Sequence, residues 1–574
     1  MIKTLLKSVR EYKKYAILTP VSVVLETLFF ALIPTMMANL IDKGITPGNM
    51  SYVYKIGLEL VGVTLAMTFF GIVGGTLAAK ASGGFAKNLR QDVFYRMQDF
   101  SFVNVDKFNS SSLVVRLTTD VQRLQGSFQM SLRLAFRAPF SLIFACIMAF
   151  SINKQLAMTF LYVIPIILAM LFVIIKLAMP RFEKVYNEYD TLNAVVKENL
   201  DGIRVVKAYV REEQQNQKFQ KETETIEKLY KSAYGLPIIA KPLMLVIVYA
   251  VSIVIIWFGS KMVVGGTLTA GDLFGLVSYT SMALFALIML SIVFVMITIS
   301  MASAKRVVEV LDEETAIKNK NNAITEIKSG SIIFDHVDFS YLDRDDKLAL
   351  EDITFDVPSG HKLGIIGGTG SSKSTMVQLL PRLYDVHKGS VKIDGNDVKD
   401  YDIKTLRDNV SFVLQKSVLF TGTVSENLKW GNENATQEQI VDACKIARAD
   451  GFINEFENGY EHVIDQGGLN VSGGQRQRLS IARALLKTPK IIIFDDSTSA
   501  VDMATEASIR NGLSINLPGL TQVIIAQRIV SVKDCDTIIV LNDGKIVGKG
   551  THDELLTDNQ IYQEVYNSQM REDV

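Results

Sequence analysis

Long apolar runs dominate the chain between about residue 15 and residue 300, and beyond residue 331 they give way to short alternating ones. Six runs, at 16–41, 55–79, 130–152, 155–179, 240–263 and 272–298, reach the roughly 20 residues that a hydrocarbon core requires, and each predicts a membrane-crossing helix. The connections at 42–54, 153–154 and 264–271 are short and carry few charges. Those at 80–129 and 180–239 are long, helix-patterned and basic, with Lys87, Arg90, Arg96, Arg116 and Arg123 in the first and Lys184, Lys197, Arg204, Lys207 and Arg211 in the second. The positive-inside rule places these two loops, and with them both termini, in the cytoplasm. Each long loop reads as two helices continuing past the membrane and joined at a tip, at Asn109 to Ser112 in the first and Asp201 to Arg204 in the second. Lys3, Lys7, Arg10, Lys13 and Lys14 precede the first span without a small-residue cleavage site, so they predict an amphipathic elbow on the inner leaflet, not a cleaved signal.

From residue 331 short β runs alternate with amphipathic helices, as in an α/β domain with a partly parallel sheet. The expected organisation is therefore a membrane domain at 1–301, a linker at 302–330 around Lys318 to Asn322, and an ATPase-sized domain at 331–574. Composition agrees with this division. Hydrophobic residues make up 48% of the 574 and charged residues 21%, while mean hydropathy is +0.23. Sixty basic side chains balance sixty acidic ones, so no basic field argues for a nucleic-acid partner. Cys146, Cys444 and Cys535 lie too far apart in sequence for a disulfide framework or a CxxC knuckle.

The chemistry sits in the second half. Gly367, Gly368, Thr369, Gly370, Ser371, Ser372, Lys373, Ser374 and Thr375 follow the strand-like Leu363 to Ile366 and precede the helix-like Met376 to Leu380. Strand, glycine loop, Lys-Ser and helix make a phosphate cradle, in which Lys373 reaches the β and γ phosphates of ATP and the Ser374 hydroxyl binds Mg2+. Ser372 stands where GxxxxGK[ST] has its second glycine, and an incidental Gly/Ser turn is the competing reading of the loop taken alone. Further on, Ile491 to Asp495 is a buried strand ending in a carboxylate suited to Mg2+, and Ser472, Gly473, Gly474 and Gln475 open a helix with a second anion-cradling N-terminus.

With these residues the chain resembles the ATP-binding cassette (ABC) family. Val471 to Gln475 is similar to its LSGGQ signature with Val for Leu, Tyr341 falls at the adenine-stacking aromatic, Gln415 at the Q-loop glutamine, and Ser499-Ala500-Val501-Asp502 at the D-loop. Six spans with two long cytoplasmic loops ahead of the cassette resemble an exporter half-transporter of the multidrug type. The resemblance implies a six-span α-helical membrane domain like that of type I ABC exporters, followed by an α/β P-loop nucleotide-binding domain. It also implies ATP and Mg2+ as cofactors, with Ser374, Gln415 and Asp495 around the metal.

Three positions depart from the family pattern. Asp496 replaces the glutamate that polarises the attacking water; losing one methylene withdraws the carboxylate by roughly 1.5 Å, and a displacement of about 1 Å can cost on the order of 100-fold. Gln527 replaces the switch histidine and cannot shuttle a proton near neutral pH. Ser372 is the third. Because the family builds each site from one cassette's phosphate loop and the other's SGGQ, the resemblance implies a degenerate-site subunit. Its own site binds ATP with little hydrolysis by Asp496, Gln527 and Gln415, and its signature completes the competent site of a second, homologous half-transporter. It further implies that the second tip reaches the partner's cassette. A slower but working ATPase is the alternative.

Cargo is less legible. Met282, Met289 and Met296, seven residues apart with Phe285 beside the first, share a face that serves lipophilic ligands or ordinary helix packing. Arg133 and Arg137 either snorkel or face a cavity, and Glu26 either attracts cations or pairs with a polar neighbour. Export of lipophilic small molecules from the membrane leads, with lipid flipping, peptide export and a nucleotide-gated channel or regulator as alternatives.

Overall fold

The computed structural model describes residues 1–341, 347–497 and 501–572. They form two compact units, one of Met1–Gln98 with Ser110–Glu313 and the other of Asp99–Asn109 with Glu314 onward.

The first unit holds six long helices, α1 (Lys13–Leu40), α2 (Met50–Gln98), α3 (Val121–Ile152), α4 (Lys154–Asp201), α5 (Glu212–Val264) and α6 (Ala270–Asp312). Five of the six predicted spans fall within them and the first overruns α1 by one residue; each of the six helices is long and apolar enough to cross a membrane. At 1.5 Å per residue the 53 residues of α5 extend about 80 Å, far beyond a hydrocarbon core of about 30 Å, so much of that helix lies outside lipid. Turn chemistry sets the ends. Asn153 accepts the Leu156 N–H at 3.1 Å to start α4, and Thr269 caps α6 at 3.1 Å. Asp42 then accepts the Gly271 N–H at 2.8 Å. Gly271 is required here, since a Cβ would lie 2.3 Å from the Ala38 carbonyl oxygen. Helix α6 runs to Asp312, past the expected boundary at 301.

Near the lower end of α6, Asp120 is fully buried and accepts Nε and Nη2 of Arg306 at 2.8 and 2.5 Å and the Ser303 hydroxyl at 2.8 Å. Glu26 pairs with Arg137 at 3.0 Å, which resolves the two readings of this acid in favour of a local ion pair. Met282 is buried in the helix core while Phe285 is 61% exposed, so packing accounts for the first methionine of the stripe.

The tips also differ in detail from the sequence expectation. The first is a short helix at Phe102–Phe108, started by a reciprocal Ser101–Asn104 cap; Asn109 ends it, and Ser110 to Ser112 already open the next helix. It clusters with the second unit, where Asp106 accepts the Tyr384 hydroxyl at 2.6 Å and Asn104 donates to the Glu314 carbonyl at 2.9 Å. The second tip helix is Ile203–Ala208. Gly202 there has φ −94° and caps the helix end, where within this chain a Cβ would meet the Glu198 carbonyl at 3.1 Å.

The second unit is α/β. An antiparallel sheet contains β1 (Ile332–Phe339), β2 (Leu350–Val357) and β4 (Lys388–Ile393) in the order β2-β1-β4, extended by a two-residue strand at Asn396–Asp397. The six-stranded sheet is built from β3 (Lys362–Ile366), β5 (Val410–Val413), β6 (Ile491–Asp495), β7 (Thr521–Ile525), β8 (Thr537–Asn542) and β9 (Lys545–Gly550). Its order is β9-β8-β3-β7-β6-β5, parallel except for β9. Strands β6 and β7 are buried at every position, Thr521 and Gln522 of β7 included, as befits strands covered on both faces. The linker is tied down by Asp394, which accepts the N–H groups of Lys328, Ser329, Gly330 and Ser331 at 2.7 to 3.1 Å. Burial opposes ionisation of this carboxyl, but the Ser329 hydroxyl and those N–H groups prevail and hold it at about 2.

Candidate functional site

Strand order explains why distant motifs converge. Ligands of open parallel sheets bind beyond the carboxyl ends of the strands, and here β3, β7, β6 and β5 lie side by side in that order. Beyond their ends come the glycine loop after Ile366, Gln527 after Ile525, Asp495 and Asp496 at and after the end of β6, and Gln415 after Val413.

The loop packs tightly on the sheet. A Cβ at Gly367 would lie 2.2 Å from the Leu541 carbonyl oxygen, so only glycine fits between β3 and β8. Ser372 precedes helix α7 (Lys373–Gln378) with φ 70° and ψ 23°, a left-handed conformation that costs a serine roughly 1–2 kcal/mol relative to glycine. It is sterically allowed, so the loop closes despite the missing glycine. Lys373 folds its Nζ back onto the loop, donating to the carbonyls of Gly367 and Gly368 at 2.9 and 2.7 Å. Burial lowers its pKa, with Asp496 and Asp495 working against that shift. An anion in the loop would give this ammonium the partner it now finds in backbone carbonyls.

Ser374 donates its hydroxyl to Asp495 Oδ1 at 2.7 Å. Burial raises the Asp495 pKa and the neighbouring Asp496 adds to the rise, while the Ser374 bond and Lys373 oppose it. A hydroxyl and a buried carboxylate in contact form a hard oxygen pair that suits Mg2+, and a divalent cation would offset the burial penalty. The Tyr341 hydroxyl lies 2.9 Å from that of Thr375, which sets its ring beside the loop helix, edge-on to Phe339 and Tyr384.

Asp496 and Gln527, two of the positions that depart from the family pattern, meet each other. Asp496 sits at φ 48°, with its N–H on the Ile525 carbonyl at 3.0 Å. One oxygen, Oδ2, accepts both the Gln415 Nε2 at 3.1 Å and the Gln527 Nε2 at 2.8 Å. The Gln527 amide is thus engaged by the Asp496 carboxylate.

Ser472 to Gln475 open α8 (Gly473–Leu485), where Ser472 N–H donates to Gln475 Oε1 at 2.8 Å and Gln475 N–H to Ser472 Oγ at 3.3 Å. These bonds close on each other within the helix start. Asp502 caps helix α9 (Met503–Asn516) through the Thr505 N–H at 2.9 Å; Ser499 and Ala500 of the same motif lie outside the described residues. Sequence reasoning missed Gln569, in the C-terminal helix α10 (Gln560–Glu572), which touches the switch segment and belongs to no motif.

Comparisons with known proteins agree with this geometry. The model of the ABC transporter transmembrane region matches residues 16–287 and that of the ABC transporter cassette residues 350–499. The uncharacterized ABC transporter ATP-binding protein YfiB of Bacillus subtilis is 34% identical over 566 residues, with 98% of each chain covered. An ATP-dependent lipid A-core flippase of Desulfotalea psychrophila is 32% identical over 526 residues, covering 91% of this chain and 88% of its own. A solved bacterial Atm1-family ABC exporter with ATP bound superimposes with a TM-score of 0.83 at 23% identity, over 97% of this chain and 98% of that one.

Proposed function

The chain belongs to the ABC transporter family as a half-transporter, a multi-pass membrane protein whose cassette is an ATPase coupled to transport, and on that premise we propose that it is the degenerate-site half of a heterodimeric exporter of lipophilic compounds. Lys373 and Ser374 would meet the phosphates of ATP in the loop, Ser374 and Asp495 would hold Mg2+, and Tyr341 would stack on the base. Hydrolysis there is slow. The observation that carries this reading is the arrangement at Asp496: a shortened acid in left-handed backbone, with one oxygen claimed by Gln415 and Gln527. Neither amide can take up a proton at neutral pH, so neither Gln415 nor Gln527 can stand in for the missing base. The Ser472 to Gln475 helix start completes the partner's site. Both termini and both tips lie in the cytoplasm, and the second tip engages the partner's cassette.

Membrane lipid surrounds the first unit, and lipid is also the second candidate cargo, since a relative at 32% identity is a lipid A-core flippase. The test is nucleotide trapping in the co-purified complex. ATP recovered from this chain's site should stay uncleaved while the partner's site accumulates ADP; ADP recovered equally from both would refute the assignment. Transport into sealed vesicles of a lipophilic-compound panel, run beside a labelled-lipid flipping assay, separates the two cargo classes.

A further inference from the structure

We infer that Gln569, in the last turns of α10, is a positioning residue for the switch segment, an amide latch through which the C-terminal helix holds Gln527 against Asp496. The inference rests on the reading of Gln527 as the switch-position residue.

The geometry is that of an added strand. Gln569 Nε2 donates to the Gln527 carbonyl at 2.8 Å, and the Ile529 N–H donates to Gln569 Oε1 at 2.9 Å. The two bonds bracket Arg528, whose backbone is extended at φ −95° and ψ 129°. Both ends of the amide are therefore fixed by chemistry, because a carbonyl accepts only from the nitrogen end and an N–H donates only to the oxygen end. On the other side of the same residue, the Gln527 side chain donates to Asp496 Oδ2. One continuous path of hydrogen bonds runs from α10 through Gln527 to Asp496 and Gln415.

The helix is anchored well enough to act as a support. Tyr562 is 1% exposed, its hydroxyl bonds His552 Nδ1 at 2.7 Å, and its N–H is capped by Asn559 at 2.9 Å. Residues 562, 566 and 569 follow the i, i+4, i+7 spacing of a single helical face, and Tyr566 packs on the same core. Gln569 thus projects from a fixed helix onto the segment that follows Ala526, whose N–H bonds the Ile365 carbonyl of β3 at 3.2 Å. Lost protection there would free Gln527 without touching the phosphate loop.

Full-length chain in lipid nanodiscs, loaded with a fluorescent ATP analogue, gives the test. Gln569→Ala should raise amide exchange in peptides spanning 525–532 about tenfold, leave those over β6 and residues 560–566 unchanged, and speed analogue release about fivefold. Gln569→Glu presents a carboxylate to the Gln527 carbonyl at neutral pH. Its release should be fast there and return toward wild type at about pH 4 and below, where a protonated carboxyl again offers one donor and one acceptor. Gln569→Ala has no such recovery. Unchanged exchange at 525–532, or loosening of the whole C-terminal helix together with it, would overturn the latch, and a pH-independent Gln569→Glu would refute the pairing. If Gln527→Ala alters neither release nor turnover while Gln569→Ala still raises exchange, the latch stands and the role of Gln527 falls.

Discussion

Two helix N-termini in the cassette are shaped to meet phosphate, and they are built differently. At the start of α8, Ser472 is extended, at φ −67° and ψ 163°, and closes a reciprocal cap with Gln475 at the head of a 13-residue helix. At the start of α7, Ser372 sits at φ 70°, makes no side-chain cap, and leads a helix of six residues. The first has ordinary backbone and the residues SGGQ. The second closes on a strained serine and faces Asp496, itself in left-handed backbone. On the proposed reading, in which each site is shared between two cassettes, this asymmetry makes the Ser472 to Gln475 start the better formed of the two.

The largest effect of substitution should come at the better-formed end, the start of α8. Gly473→Asp places a carboxylate where a helix N-terminus would receive the partner's γ-phosphate, and turnover of the assembled complex should fall at least about 100-fold, the usual loss when a transition-state donor is removed. Retained hydrolysis would disconnect α8 from the active site. Next, Ser372→Gly, Asp496→Glu and Gln527→His together restore the three departures, and ATPase of the chain alone should rise at least about tenfold, within the range that a positioned base supplies. No gain would place the defect elsewhere.

Ser372→Gly by itself relieves about 1 kcal/mol of left-handed strain and should tighten ATP binding by no more than about fivefold, read by titration calorimetry. Weakened binding would show that the serine hydroxyl contributes to the cradle. Asp496→Asn should lower the turnover of the complex by less than about twofold, against the 100- to 10,000-fold expected for a working base. A large drop would make Asp496 that base.

The sequence carried the parts of this account that are local. Each span announces itself because about 20 contiguous apolar residues are needed to cross lipid, and the loop at Gly367 to Thr375 because its glycines, lysine and serines are adjacent in the chain. What it could not carry is pairing across distance. Glu26 and Arg137 meet between α1 and α3, and nothing in either run names the other. Gln569 reads as one more polar residue on an amphipathic helix until the fold lays it along Gln527 to Ile529. The first tip was displaced for a subtler reason: its cap pairs Ser101 with Asn104, outside the usual Ser/Thr with Glu/Gln pattern, so the helix at Phe102–Phe108 gave no start signal.

The asymmetry between α7 and α8 is tested most directly by the ATPase rate of this chain purified alone in lipid, set beside the rate of the same chain co-purified with its homologous partner. A poor site and a good signature predict little hydrolysis alone and a rate at least about 100-fold higher in the complex. Brisk turnover by the chain alone would contradict the account, because its own phosphate loop, Asp496 and Gln527 would then form a working site.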